Sequence, residues 1–122
     1  MKENKSYIID VLNLVPDNSI CFIQAPSIDE SSTLNDVLTP SEFDCYHQVI
    51  LSPTNKKTII EIIKDEEIEA DFQSIEIRHN GKLYFEGYDG MQFGTISKEL
   101  EFPENFIKNY IDSDMCSIAA EW

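Results

Sequence analysis

Residues 74–97 read SIEIRHNGKLYFEGYDGMQFGTIS, and they contain the clearest local structural signal in the chain. Two runs in which apolar and polar residues alternate flank Asn80-Gly81, a dipeptide typical of β-hairpin turns. Residues 87–90 predict a second turn, and residues 91–97 predict a third short strand in which Gly94 is a weak point or a bulge. The stretch is therefore predicted to form an antiparallel meander.

The register of the predicted hairpin depends on the length of its loop. A two-residue turn would place polar and apolar side chains together on each face of the hairpin. A three-residue loop that ends in a bulge at Gly81 instead pairs Ile77 with Leu83. It also pairs Ile75 with Phe85, so that these apolar side chains share one face of the hairpin. This register is the one predicted. The side chains expected to point outward are those of Glu76, Arg78, Lys82, Tyr84 and Glu86.

Periodicity outside the meander predicts further helices and strands. The predicted helices cover residues 4–14, 56–67 and 103–111, and the predicted strands cover residues 20–23, 45–51 and 115–122. Residues 56–67 contain β-favouring isoleucines, but these isoleucines share one helical face, which favours a helix over a strand. Residues 25–44 are predicted to be the loosest part, with one or two helical turns. We expect a single α+β domain, residues 1–122, with helices packed on a mainly antiparallel sheet around the 74–97 meander.

The composition is strongly acidic. Of 122 residues, 23 are Asp or Glu and 9 are Lys or Arg, which gives a net charge of −14 at pH 7. Direct binding to DNA, RNA or an anionic membrane relies on Lys and Arg, so this charge argues against all three. Because 42% of the residues are hydrophobic, the chain is expected to fold rather than to be a disordered acidic tail. A basic protein is the partner that the charge favours.

No apolar run approaches the length of about 18 residues that crosses a bilayer, and the apolar N-terminal stretch contains Asp10. A cytoplasmic location is therefore expected. The cysteines Cys21, Cys45 and Cys116 are odd in number and widely spaced, so they are interpreted as buried thiols rather than as disulfides or zinc ligands.

Familiar catalytic and metal-binding motifs do not occur in the sequence. His47 and His79 lack the spacing of a metalloprotease site, and we expect His79 to be a solvated turn residue. The glycines at 87, 90 and 94 lack the lysine and the strand-to-helix context of a phosphate-binding loop. No catalytic residue, metal site or cofactor is therefore predicted, and the chain is not expected to be an enzyme.

Acidic side chains are concentrated between residues 61 and 76. A solvated helix face is the simplest explanation of such a run. The large total charge favours a protein-binding surface instead, with tyrosines as packed anchors, because charges alone mainly set the rate and orientation of association. The predicted partner-binding residues are Glu61, Asp65, Glu66, Glu67, Glu69, Asp71, Glu76, Tyr84, Tyr88 and Asp89.

A family resemblance covers about residues 74–122. The stretch LYFEGYDGMQFGTISKEL (83–100), followed by ENFIKNYI and MCSIAAEW, resembles immunity proteins of bacterial contact-dependent growth inhibition and related polymorphic toxin systems. The resemblance rests on the pattern F-x-G-Y-D-G-x-x-x-G-x-I-S, on size and on acidity. It implies a cytoplasmic protein that binds and neutralises the toxic C-terminal domain of a cognate effector, often a nuclease.

The sequence thus predicts an immunity protein that blocks the active site of a basic toxin domain. Two alternatives remain open at this stage. One is a small-ligand-binding or enzymatic domain, for which a deep apolar pocket with convergent polar groups would be the sign. The other is an acidic adaptor for a different basic protein.

Overall fold

The computed structural model describes residues 2–122 and has an α+β architecture. The helices are α1 (Lys2–Leu14), α2 (Pro53–Glu66) and α3 (Glu104–Phe106), which continues as a π-helical turn (Ile107–Ile111). The strands are β1 (Ser19–Gln24), β2 (Thr39–Pro40), β3 (His47–Leu51), β4 (Ser74–His79), β5 (Lys82–Tyr88), β6 (Phe93–Ile96) and β7 (Cys116–Ile118). Short 3₁₀ turns lie at Thr33–Asp36 and Glu69–Asp71.

Within residues 2–122 the strands form one seven-stranded sheet in the order β2-β3-β1-β4-β5-β6-β7. Paired strands are antiparallel except β6 and β7, which run parallel. The predicted α+β class, the mainly antiparallel sheet and the 74–97 meander are confirmed. None of the helices in this part of the chain is both long and apolar enough to cross a membrane.

The core lies between the helices and one face of the sheet. Tyr7 of α1 is fully buried, meets the ring of Phe85 edge-on at 5.8 Å, and stacks on Tyr110 at 4.9 Å. The isoleucines of α2 that are predicted to share a face are buried at positions 59, 62 and 63 and half-buried at position 60. The apolar periodicities of the first and second helices therefore locate the core correctly.

The start of α2 explains why residues 56–67 form a helix despite their isoleucines. The Ser52 hydroxyl accepts a hydrogen bond from the backbone N–H of Asn55 at 3.1 Å, and Pro53 occupies the first turn. Both features satisfy or remove donors that the first helical turn leaves free. The helix ends at Glu66, and the next residue, Glu67, adopts the left-handed conformation with φ 51°.

The hairpin turn is shorter than predicted. His79 pairs directly with Lys82, so the turn contains only Asn80 and Gly81. Their φ values are 52° and 78°, the two positive values that a type I′ turn requires. The predicted three-residue loop is therefore wrong, because Asn80 tolerates the left-handed conformation well enough to form the tighter turn.

A bulge next to this turn restores the alternation of the hairpin faces. Arg78 pairs with Leu83 and Ile77 pairs with Phe85, which leaves Tyr84 as an extra residue on β5. Both predicted strand pairs are wrong. Leu83 lies opposite Arg78 on the outer face, whereas Tyr84 is half-buried and packs against the core. One inserted residue thus exchanges the predicted roles of two neighbours.

The glycines of the meander are packing positions. Gly87 and Gly94 lie opposite each other on β5 and β6. Gly87 belongs to β5, so the predicted turn at 87–90 begins only after Tyr88. A Cβ on Gly94 would overlap the Tyr7 hydroxyl and lie 2.8 Å from the Glu86 carbonyl oxygen. Gly94 forms no bulge, and its lack of a side chain admits the tyrosine ring.

The C-terminal segment returns to the sheet as predicted. The Gly94 N–H donates to the Met115 carbonyl at 3.1 Å, and the Ala119 N–H donates to the Ile96 carbonyl at 2.8 Å. Lys98 N–H donates to the Trp122 carbonyl at 3.0 Å. These bonds fasten the chain end to β6 and the residues after it.

Two predictions about single side chains are wrong. Cys45 is exposed, although Cys21 and Cys116 are buried as expected. His79 is half-buried, not solvated, and its Nδ1 is buried without a partner among residues 4–122. His79 ends β4 and Cys45 lies in the loop just before β3, and at both positions burial depends on neighbouring segments distant in sequence.

Candidate functional site

One face of the sheet is not covered by a helix in the described part of the chain, and we call it the open face. Strand alternation and the observed register place the outward side chains. They are Gln48 and Ile50 of β3, Ile20, Phe22 and Gln24 of β1, Ser74, Glu76 and Arg78 of β4, Leu83, Glu86 and Tyr88 of β5, and Phe93 and Thr95 of β6.

Large apolar side chains are exposed on and beside the open face. Ile50 is 51% exposed, Tyr88 is 40% exposed and Phe93 is 55% exposed. Phe43, from the segment that crosses this face, is 46% exposed. Isolated exposed apolar residues are common on proteins, whereas several on one uncovered sheet face are typical of an interaction surface.

The segment of residues 41–46, here called the 41–46 loop, folds over the open face. The ring of Phe43 meets the ring of Phe22 edge-on at 5.1 Å between centroids. The Tyr46 hydroxyl donates to the Ser74 hydroxyl at 2.8 Å, and the Phe43 N–H donates to the Ser41 hydroxyl at 3.1 Å. These contacts hold the loop against β1 and β4.

A cavity of about 420 Å³ lies between the 41–46 loop and the sheet. Its walls are the aromatic residues Phe22, Phe43 and Tyr46 and the charged residues Glu42, Asp44, Glu76 and Arg78. The Arg78 Nε donates to the Glu76 carboxylate at 2.6 Å. Glu42 and Asp44 are exposed, and within residues 4–122 neither carboxylate has an ion-pair or hydrogen-bond partner.

The negative charge continues across the sheet beyond this cavity. Glu86 lies directly opposite Glu76 in the β4–β5 register. Partial burial raises the pKa of the neighbouring Tyr88 hydroxyl, and the carboxylates of Glu86 and Glu76 raise this pKa further. The open face and its loop therefore combine four carboxylates with one arginine.

The predicted acidic cluster does not form one surface. Glu61, Asp65 and Glu67 are exposed on or just after α2, on the helical side of the molecule. Glu76 and Tyr88 lie on the open face. The structure therefore divides the predicted binding residues between two sides of the sheet.

Glu66 has an internal structural role. Its carboxylate accepts a hydrogen bond from the Ser32 hydroxyl at 2.6 Å and further bonds from the hydroxyl and N–H of Thr33. The hydrogen bond from Ser32, and after it those from Thr33, lower the pKa of Glu66. The side chain fastens the 3₁₀ turn at Thr33–Asp36 to the end of α2.

Two further predicted carboxylates also serve the fold. Glu69 is buried, with the Lys5 ammonium 4.0 Å from its Oε1. The Asp71 carboxylate accepts a hydrogen bond from the Ser27 hydroxyl at 3.2 Å. Neither side chain is free to meet a partner without losing an internal contact.

The exposed side of α2 also carries positive charge. A shallow cavity of about 340 Å³ at its junction with α1 is lined by Lys56, Lys57, Lys64 and Glu61. Lys56 further pairs with Asp17 at 2.9 Å. Because three lysines line this cavity beside Glu61, the helical side is a weaker candidate for a basic partner than the open face.

The last two predicted residues have different positions. Tyr84 packs against the core, so only part of it is accessible. Asp89 is exposed and lines a third cavity, of about 630 Å³, together with Asp114 and Phe93. Through Phe93 this cavity adjoins the edge of the open face.

The most accessible part of the site was not predicted from the sequence. Glu42, Phe43, Asp44 and Tyr46 belong to or adjoin the stretch predicted to be loosest, and Phe93 belongs to the third strand of the meander. The strand alternation did contain a signal for Glu86 and Tyr88, since both share a face with Glu76. No periodicity identifies the loop.

Two further findings concern metal binding and the comparison with known proteins. Between residues 2 and 122, no group of three or more His, Cys, Asp or Glu side chains is arranged to hold a metal ion. No known protein family matches the chain, and comparison with curated proteins and with solved structures found no match.

Proposed function

We propose that the protein is a cytoplasmic immunity protein that binds a basic toxin domain of a bacterial effector through its open face and blocks that domain's active site. The observation that carries the proposal is the combination, on one uncovered sheet face and the 41–46 loop that crosses it, of exposed aromatic rings with carboxylates that have no ion-pair or hydrogen-bond partner among residues 4–122. The sequence resemblance over residues 74–122 supports the same function.

The two kinds of side chain have separate tasks in such an interface. Carboxylates attract a basic partner and raise its association rate constant, up to ~10⁸–10⁹ M⁻¹s⁻¹ at low salt. Aromatic residues that become buried supply most of the binding free energy and slow dissociation. Tyr88 and Phe93 adjoin each other in register, next to Glu86, so both tasks are possible within one contact.

Inhibition by this surface requires no reaction. A nuclease that holds phosphates presents a basic cleft, and a negatively charged face that covers the cleft excludes the substrate and replaces its charge. Protection of this kind needs a stable interface of roughly 1,200–2,000 Å². Such an area exceeds one cavity and would include much of the open face.

Co-purification with the product of the preceding gene tests the proposal. We expect a stoichiometric complex and loss of the toxin activity in that complex. A complex that forms while the toxin stays active would favour an acidic adaptor and overturn the immunity function. Failure of the two proteins to associate would also overturn it.

Two matched charge reversals locate the interface. Glu86→Lys on the open face is expected to slow association at low salt by about tenfold or more, whereas Glu61→Lys on α2 should change it by less than about twofold. Tyr88→Ala should raise the Kd by about tenfold or more, mainly through faster dissociation. If Glu61→Lys slows association as much as Glu86→Lys, the open face is not the contact surface.

A further inference from the structure

The cavity under the 41–46 loop has a lining that fits one kind of side chain. Its volume of about 420 Å³ is near the lower end of the range of about 300–1,000 Å³ that is usual for ligand pockets, so it suits a side chain or a small ligand. We propose that it receives an arginine side chain of the basic partner. This inference rests on the proposed function and names the chemistry of its central contact.

Charge in the cavity favours a cation. Three carboxylates and one guanidinium line it, and that guanidinium, of Arg78, is already paired with Glu76. Glu42 and Asp44 have no partner within residues 4–122, so the lining keeps a negative excess. A second positive side chain would satisfy both loop carboxylates.

The aromatic walls favour a planar cation. Phe43 stands edge-on to Phe22, and Tyr46 is fixed by its hydrogen bond to Ser74. Guanidinium groups stack on aromatic faces and donate in a fork to carboxylates, whereas an ammonium group is a compact and strongly hydrated charge. The mixture of rings and carboxylates therefore suits arginine better than lysine.

The chain itself provides an example of this recognition. Arg78 already lies in the same wall and donates through Nε to a carboxylate at 2.6 Å. Its position shows that a guanidinium is compatible with this part of the open face. The partner's arginine would occupy the remaining space on the side of the 41–46 loop.

Blocked single amino acids probe the cavity without the partner. We would titrate N-acetyl-arginine amide, N-acetyl-lysine amide and N-acetyl-citrulline amide to about 50 mM and follow backbone amide shifts by NMR. Citrulline keeps the shape of arginine and lacks its charge. We expect shifts confined to residues 41–46 and their neighbours on β1 and β4, with arginine bound more tightly than lysine and about tenfold or more tightly than citrulline. Equal binding of citrulline, or the absence of shifts at these residues, would overturn the inference.

Matched double variants separate the cavity from general electrostatics. Glu42→Gln with Asp44→Asn removes the two unpaired carboxylates and keeps their shape, and it should weaken arginine binding by about tenfold. Glu61→Gln with Asp65→Asn makes the same change in net charge on α2 and should have less than a twofold effect. Equal losses in both variants would show that only total charge matters and would overturn the inference.

The same variants distinguish this inference from the proposed function. If the preceding gene product binds, is sensitive to Glu86→Lys, and is unaffected by the Glu42→Gln/Asp44→Asn variant, the immunity function stands and the arginine contact is wrong. If the arginine probe binds as expected but no basic protein is neutralised, the cavity chemistry stands and the immunity function falls.

Discussion

Substitutions at Gly94 and Tyr7 test the packing that joins α1 to the sheet. The glycine lies opposite Gly87, and the Tyr7 hydroxyl occupies the space where a side chain at position 94 would lie. A methyl group at position 94 would overlap the tyrosine hydroxyl and would lie 2.8 Å from the backbone carbonyl oxygen of Glu86. Gly94→Ala therefore overpacks the core, and one of its obstacles is a backbone atom.

The size of the effect follows from two opposing contributions. Overpacking costs about 1–3 kcal/mol, and the upper half of that range applies because a carbonyl cannot rotate away. Alanine is favoured over glycine in a strand by about 0.5–1 kcal/mol. We expect Gly94→Ala to lower the free energy of unfolding by about 1–2.5 kcal/mol.

Tyr7→Phe, unlike Gly94→Ala, should not lower the free energy of unfolding. The Tyr7 hydroxyl is buried, and the polar group beside it is the Cys116 thiol, a weak hydrogen-bond partner. Burial raises the pKa of this hydroxyl well above its usual range. Its removal avoids part of a desolvation cost, so the free energy of unfolding should stay the same or rise by up to about 1 kcal/mol.

The double variant decides whether the two residues interact. Without the hydroxyl, the methyl group of Ala at position 94 meets fewer obstacles, so we expect the two effects to be non-additive by about 1 kcal/mol. Urea unfolding at pH 7, followed by circular dichroism with equal m values, measures all three variants and the parent. Additivity within about 0.5 kcal/mol would refute the proposed contact between Tyr7 and Gly94.

Four further predictions concern single positions. Gly81→Ala should lower the free energy of unfolding by about 1 kcal/mol in urea titrations, because φ at this position is +78° and an alanine is strained there. In native protein only the exposed Cys45 thiol should react with a disulfide reagent at pH 8, and reaction of a second thiol before unfolding would contradict the buried positions of the other two. Since the folded-state pKa of Glu66 is lowered from 4.5, its stabilising contribution is complete above that pH and is lost as the pH falls through the lower value, so Glu66→Gln should lose less stability on acidification. Glu86→Lys should raise the free energy of unfolding by about 0.2–1 kcal/mol in urea titrations, because it removes the repulsion between Glu86 and Glu76, although the same substitution is expected to weaken partner binding.

Local sequence patterns predicted most of the fold because they reflect local physics. The Ser52 cap and Pro53 begin α2, and the spacing of its isoleucines directs one face to the core. The alternation in residues 74–97 likewise predicts a meander without reference to the rest of the chain. Each of these signals acts within about one turn or one strand pair.

The predicted hairpin register is wrong because it places the extra residue in the loop and not in a strand. With regular pairing a two-residue Asn80-Gly81 turn mixes polar and apolar side chains on each face, and a bulge beside the turn separates them again. The choice depends on where the extra residue is absorbed, and Tyr84 absorbs it by packing against the core. That contact involves residues distant in the chain, so a local pattern does not contain it.

The candidate site was harder to predict because charge in a sequence does not reveal its partners. Glu66 and Glu69 look like free carboxylates in the acidic run, yet one binds the 3₁₀ turn and the other is buried near Lys5. Glu42 and Asp44 lie outside that run, and neither has an ion-pair or hydrogen-bond partner among residues 4–122. Only the packing of the 41–46 loop on β1 and β4 brings them beside Glu76.

The open face has a charge arrangement that does not favour folding. Glu76 and Glu86 lie directly opposite each other on neighbouring strands, a placement that destabilises a sheet when both are ionised. Arg78 relieves the first of them by its ion pair, and Glu42 and Asp44 add to the repulsion from the loop side. A surface that needed only solubility would gain more from interspersed charges of both signs. In the proposed complex a basic partner would remove this repulsion, so the cost to the free protein would become part of the driving force for binding.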